Sequence, residues 1–211
     1  MMKNITIAKQ TPHIASVNAD ANFSVGRRTG SLAGKFLVAA PSMQDTGFAR
    51  AVIYLCQHSE AGAMGLIVNY PVHNLKLEDI LEQMNMKNDA QRNVPVHFGG
   101  PIDGNRGFII HSDEFTARGT IVHHDGLAVT SNAEVLEAII GGDGPKQGML
   151  VIGYAGWSAG QLEAEMESGC WIVASASKQL LFDTSNDRKW GMAIASLGFD
   201  VGNFSSVVGH A

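Results

Sequence analysis

Ser158 stands in Gly156-Trp157-Ser158-Ala159-Gly160, which fits the G-x-S-x-G pattern of a nucleophile elbow. A serine used in that way attacks an acyl carbon. It needs a histidine base, an acid that orients the base and donors for the oxyanion. Downstream lie Asp183, Asp187, Asp200 and a single histidine, His210, in the Ser, Asp, His order of an α/β-hydrolase. Three features weigh against that chemistry. His210 is the penultimate residue, where chains commonly fray. Only 53 residues follow Ser158 (211 minus 158), which leaves little room for the later strands and helices of a hydrolase. No regular βαβ alternation precedes the motif.

A structural role covers the same residues. Ser158 and Gln161 have the S-x-x-Q spacing of a capping box. The serine oxygen is then expected to accept from the Gln161 amide, while the Gln161 side chain returns to the Ser158 amide. Glu163 falls in the first helical turn, where negative charge suits the helix dipole. No catalytic residue is assigned on this reading, and a small serine hydrolase using Ser158 stands as the alternative.

The remaining candidate clusters point away from metals and nucleotides. His123-His124-Asp125 has metal-ligating types, but neighbours on a strand point to opposite faces, and a hairpin turn explains the run. There is no H-E-x-x-H and no Cys/His zinc spacing. Gly141-Gly142-Asp143-Gly144-Pro145 follows a helical segment, whereas a phosphate cradle precedes one. Glu163 and Glu167 share a helix face as an acidic, solvated pair, and Glu165 lies off that face. No metal and no cofactor is expected.

The elements that position these residues are legible from pattern. Phe36 to Ala40, Ala51 to Cys56 and Met64 to Asn69 read as strands, the last two joined by the turn Ser59 to Gly62. Asn74 is placed to cap a helix carrying Leu77, Ile80, Leu81 and Met84, and a polar loop covers 85–93. Val94 to Phe98 and Gly107 to His111 are strands, followed by a hairpin of 120–123 and 127–130. Ser131 and Glu134 make a capping box for a helix through Ile140, ended by Gly141. A strand over 149–156, a helix over 159–168, a strand over 170–174 and a helix over 187–197 complete the chain. Hairpins with irregularly inserted helices indicate an α+β fold, a large curved antiparallel or mixed sheet with about four helices on it.

Composition narrows the class further. The chain has 211 residues, 45% hydrophobic and 17% charged, as expected of one soluble domain. Cys56 and Cys170 read as buried thiols in a reducing compartment. No run approaches a membrane span, and no apolar run follows the first lysine, so no secretory signal is expected. Residues 1–35 carry Lys3, Lys9, Arg27, Arg28 and Lys35 against Asp20, a net of +4, while the remainder has 10 basic and 19 acidic residues, a net of −9. An acidic body disfavours broad phosphate-backbone binding. Residues 1–31 read as a flexible polar arm ahead of a single domain over 32–211, and DNA binding through this basic arm stands as a further alternative. No basic recognition helix is visible, which makes direct DNA binding doubtful.

Five strings together resemble the AlgH/YqgE family: 36–71 (FLVAAPSMQDTGFARAVIYLCQHSEAGAMGLIVNYP), 96–112 (VHFGGPIDGNRGFIIHS), 127–132 (LAVTSN), 153–171 (GYAGWSAGQLEAEMESGCW) and 180–198 (LLFDTSNDRKWGMAIASLG). The resemblance spans almost everything from Leu32 onward. It implies a cytoplasmic bacterial protein without an established activity, an α+β fold with a strongly curved sheet, and, through one branch, a link to regulation of alginate production and a transcriptional-regulator label. It also implies that glycine is admitted at position 158 and that arginine is usual where this chain has Tyr70. The polar and loop members of the shared pattern form the expected binding groove: His58, Asn69, Gly99, Gly100, Pro101, His111, Tyr154, Gly156, Trp157, Gln161 and Glu163. The expected function is a non-enzymatic regulatory domain that binds a protein or small ligand, with the partner's identity and the oligomeric state left open.

Overall fold

The computed structural model describes residues 30–86 and 94–198. The arm up to Thr29, most of the polar loop before Val94 and all residues after Gly198, His210 included, lie outside the described residues. In chain order the elements are β1 (Lys35–Ala39), β2 (Val52–Ser59), β3 (Gly62–Ile67), α1 (Leu77–Gln83), β4 (Val96–Phe98), β5 (Ile102–Ser112), β6 (Ile121–Val122), β7 (Leu127–Thr130), α2 (Glu134–Gly141), β8 (Gly148–Ser158), α3 (Gln161–Glu167), β9 (Trp171–Ser175) and α4 (Asn186–Ala195). A π-helical turn, Gln179–Asp183, precedes α4.

The strands form one sheet in the order β6-β7-β5-β8-β3-β2-β1-β9, with β4 paired to β8 off this path. The β4–β8 pair is parallel and the other strand pairs are antiparallel. The architecture is α+β, with the sheet curled into a half-barrel. Tyr54 shows how far it curls. In the sheet order its strand, β2, is separated from the β6–β7 turn by β3, β8, β5 and β7. Its ring nevertheless meets His123 edge-on at 5.5 Å, and its hydroxyl donates to Asp125 Oδ2 at 3.0 Å. Alternate strand residues feed an inner core with Phe36, Tyr54, Leu66, Phe108, Ile110 and Val151, which α4 covers through Trp190, Ala193 and Ile194. The outer face divides in two. Ile109, Leu150 and Ile152 meet α1 and α2, whereas Leu37, Ile53 and Leu55 lie with Trp157 and Leu162 of α3.

Strand β8 serves both outer layers by changing parity. Met149 and Val151 face the inner core and Leu150 and Ile152 the outer one. Beyond Gly153, which sits at φ 74, the pattern inverts: Tyr154 joins the inner core while Ala155 and Trp157 turn outward. Gly99 and Gly100 pack directly on this point. The Gly99 amide donates to the Ile152 carbonyl at 2.7 Å and its carbonyl accepts from Ile67 at 2.9 Å. A Cβ on Gly99 would overlap the Gly153 carbonyl, and one on Gly100 would overlap the Tyr154 carbonyl.

Three helix starts differ from the expected caps. Lys76, not Asn74, precedes α1, and its amide donates to Asp79 Oδ2 at 2.8 Å. Ahead of α2 the Ser131–Glu134 box is replaced by Asn132, whose Oδ1 accepts from the Glu134 amide at 3.1 Å. That short turn satisfies the amide two residues on, so the helix begins after Ala133. It ends on Gly142 at φ 86, one residue past Gly141. Ahead of α3 the cap is Gly160 at φ 74 rather than Ser158.

One buried charge stands out. Lys189 of α4 is 2% exposed, and its Nζ donates to the Val68 carbonyl at 2.9 Å and to Asn186 Oδ1 at 2.8 Å. Burial pushes its ammonium down to about 8. Two outcomes are expected. Gly99→Ala and Gly100→Ala each lower stability by about 2–4 kcal/mol, whereas Gly104→Ala, with open space around it, changes it by less than about 0.5 kcal/mol, as read by denaturant unfolding. Because the folded-state pKa of Lys189 lies below its unfolded value of 10.5, the unfolded chain binds the proton more tightly. Unfolding free energy therefore rises as pH climbs from about 8 toward 10.5, and Lys189→Met removes that share of the rise.

Candidate functional site

The GYAGWSAGQLE stretch closes a polar knot. Glu165 of α3 accepts from the indole nitrogens of both Trp157 and Trp171 on Oε2, each at 2.8 Å. The two rings meet edge-on at 5.9 Å. Its other oxygen accepts from Gln161 Nε2 at 2.9 Å. Gln161 Oε1 in turn accepts from the Ser158 amide at 3.0 Å and from Ser158 Oγ at 3.1 Å. Half of the expected capping box is therefore present, the return from Gln161 to the Ser158 amide. The serine oxygen does not accept from the Gln161 amide, because Ala159-Gly160 forms the turn and Gly160 is the cap. Ser158 is exposed and lies on the end of β8 itself, paired with Gly62.

His58 makes a second tie to α3. Its Nδ1 accepts from the Leu32 amide at 3.1 Å, which requires the proton on Nε2, and Nε2 donates to Glu163 Oε1 at 2.7 Å. Bonding to its own backbone amide first, and to His58 second, holds the half-exposed Glu163 carboxyl below the usual carboxylate range. The three glutamates of α3 thus take three roles: Glu163 meets His58, Glu165 meets the tryptophans and Glu167 is exposed.

The other expected groove residues are dispersed, each with a local task. Asn69 accepts from the Val52 amide at 2.8 Å and donates to the Arg50 carbonyl at 2.9 Å, closing the 40–51 loop where Arg50 takes φ 59. Tyr70, standing where the family resemblance leads to an arginine, donates from its hydroxyl to the Ala49 carbonyl at 2.7 Å and ties the same loop. His111 is wholly buried. Its Nδ1 donates to the Ser112 carbonyl at 2.9 Å and its Nε2 accepts from Thr130 at 2.8 Å, with Thr120 behind at 2.7 Å. Burial lowers its pKa and keeps it neutral. Gly99 and Gly100 are buried in the β8 contact, Pro101 is exposed beside them, Tyr154 packs edge-on against Phe108, and Gly156 lies under Ile102.

His58 and Trp157 do border an opening among the described residues, a groove of about 1000 Å³. It lies at the seam of the half-barrel. Ile121, Val122 and His123 of the β6 edge form one side, Ala176 just past β9 and Gly34 and Lys35 another, and Gln57, Met64 and Cys56 line it from β2 and β3. Asp125 stands in it with a fixed carboxylate, since Oδ1 accepts from the Leu127 amide at 3.0 Å and Tyr54 donates to the same group. Burial pushes the Cys56 thiol up, which makes it a poor nucleophile. The groove residues Asp125, Met64 and Val122 escaped the sequence reading because they come from strands far apart in the chain. The only local signal was the Asp-Gly turn, and it speaks of a hairpin. Among the described residues, no three His, Cys, Asp or Glu side chains gather to hold a metal, and no helix is long and apolar enough to cross a membrane.

A curled α+β sheet with these ties defines a scaffold with a groove at its seam, and comparison with known proteins places it. A family profile described as AlgH-like matches residues 36–202, and the chain belongs to that family. A UPF0301 protein of Jannaschia sp. is 46% identical over 188 residues, covering 87% of this chain and 97% of the relative. One from Rhizobium rhizogenes is 41% identical over 193 residues, covering 88% and 96%. The solution structure of the AlgH protein from Pseudomonas aeruginosa matches with a TM-score of 0.70 at 36% identity, over 89% of this chain and 100% of that one. A Corynebacterium diphtheriae crystal structure shares the fold, with a TM-score of 0.66 at 21% identity over 86% of this chain and 94% of that one.

Removing Glu165 leaves two indole donors and an amide without their acceptor. Glu165→Ala is expected to cost about 2–3 kcal/mol and to shift tryptophan emission to longer wavelength, whereas Ser158→Ala changes stability by less than about 0.5 kcal/mol. Chemical denaturation followed by fluorescence reads both.

Proposed function

We propose that the protein is a non-enzymatic binding domain whose seam groove takes a small ligand or a peptide segment, and that it serves regulation through that binding. The observation that carries this reading is the groove itself. It has the size of a ligand site, an apolar lining from Met64, Ile121 and Val122, and a few placed polar groups, Asp125 chief among them. The state of Ser158 supports the same reading. Its hydroxyl is engaged with Gln161, and no histidine among the described residues bonds to it. Any effect on transcription is indirect on this view, since residues 30–211 carry 11 basic and 19 acidic residues, a net of −8, and repel a phosphate backbone.

A fragment and peptide library screened by ligand-observed NMR tests the proposal. Binders are expected to move amide resonances of Gln57 to Met64 and Ile121 to Asp125. Val122→Glu, at a 46% exposed position that tolerates charge, weakens them severalfold without changing stability. Binders that map elsewhere, or a library that yields none, overturn the assignment. Covalent labelling of Ser158 by a serine-reactive probe would overturn the non-enzymatic part.

A further inference from the structure

We propose that residues 1–29 of this same chain occupy the seam groove in cis and compete there with any external ligand; the inference rests on the groove being a binding site. The root of the segment is already fixed at the rim. Ser31 Oγ donates to the His58 carbonyl at 3.0 Å, the Leu32 amide donates to His58 Nδ1 at 3.1 Å, and Ser31 itself borders the groove. The chain ahead of Ser31 is therefore delivered to the opening by two hydrogen bonds, on a histidine that Glu163 holds in place.

The chemistry of the two parts matches. Residues 1–29 carry Lys3, Lys9, Arg27 and Arg28 against Asp20, a net of +3, facing a body of net −8. Arg27 and Arg28 stand three and four residues before Ser31, so they reach about 10–14 Å from it when extended. Asp125 offers them a carboxylate whose orientation Tyr54 and Leu127 have already set. Lys35 on the same rim has the opposite sign to Asp125, which makes the attraction local to Asp125. Further back, Phe23 and Val25 alternate with Asn22 and Ser24, the period-two pattern that lays apolar side chains on one face. The matching surface is β6, a two-residue edge strand with Val122 46% exposed, beside Ile121 and Met64. An apolar strand edge left open in this way is a template for an added strand. The family profile starts only at residue 36, and the P. aeruginosa AlgH structure is matched over its full length by 89% of this chain. Residues 30–211 keep the whole of the matched profile, so deleting the segment leaves the family fold intact.

Hydrogen–deuterium exchange compares the full chain with residues 30–211. Amides in 57–64 and 119–126 are expected to exchange severalfold more slowly in the full chain. A synthetic peptide of residues 1–29 added to the shortened chain restores the protection, and Asp125→Asn in the full chain reduces it. Equal exchange in the two forms, or protection that maps elsewhere, overturns the proposal. Protection that is lost on dilution also overturns it, by assigning the segment to a second copy. The groove reading fails separately: the shortened chain, with the segment gone, either takes up library ligands or does not, whatever the exchange shows.

Discussion

Strand β8 carries the constraint on which the rest depends. It lies in the middle of the sheet, between β5 and β3, and must face two different outer layers along its length. A strand with strict alternation cannot present Leu150 and Ile152 to α1 and α2 and then Ala155 and Trp157 to α3. The left-handed turn at Gly153 inverts the alternation, and Gly99 and Gly100 lie against it because no side chain fits there. Everything described for α3 follows. Had Trp157 faced inward, Glu165 would hold one indole instead of two, and the end of β8 would not border the groove.

The polar ties act as a second layer of specification. Glu165 fixes both tryptophans and, through Gln161, the tip of β8. His58 joins Leu32, ahead of β1, to α3. The Tyr54–Asp125 bond ties β2 to the turn between β6 and β7 across the curl of the sheet. Half-buried carboxylates on indole, imidazole and phenol donors are directional, so they choose one geometry among the many that apolar packing tolerates. The groove is the space left where the curl stops short of closing, between β6 and the end of β9.

Much of the fold was legible because its signals are local. The hairpin of β2 and β3, the Asp-Gly turn before β7, the stripe of Trp190, Ala193 and Ile194 on α4 and the α+β class all come from periodicity and turn chemistry. The helix starts misled where two local signals compete: the Asn132 turn displaced the Ser131 box and left Ala133 at the cap position, and Gly160 took the cap from Ser158, since backbone able to adopt positive φ can begin a helix without a side-chain cap. The expected groove was legible only in part. His58 and Trp157 border the opening, but Asn69 and His111 are polar because buried backbone and hydroxyl groups need partners, and sequence pattern does not distinguish that need from recognition.

What the sequence determined by itself is the set of two-faced strands, the breaks between them and the family to which the chain belongs. Each of these depends on residues within a few positions of one another, or on strings that can be matched without coordinates. Tertiary structure alone decided which carboxylate meets which donor: Glu165 and not Glu167 on the tryptophans, Asp125 on Tyr54, and Lys189 buried against Val68. It also decided where the sheet stays open. The curl of a sheet is the accumulated twist of every strand pair, and a groove at its seam is lined by residues as far apart in the chain as Ser31 and Ala176, so no local window of sequence contains it.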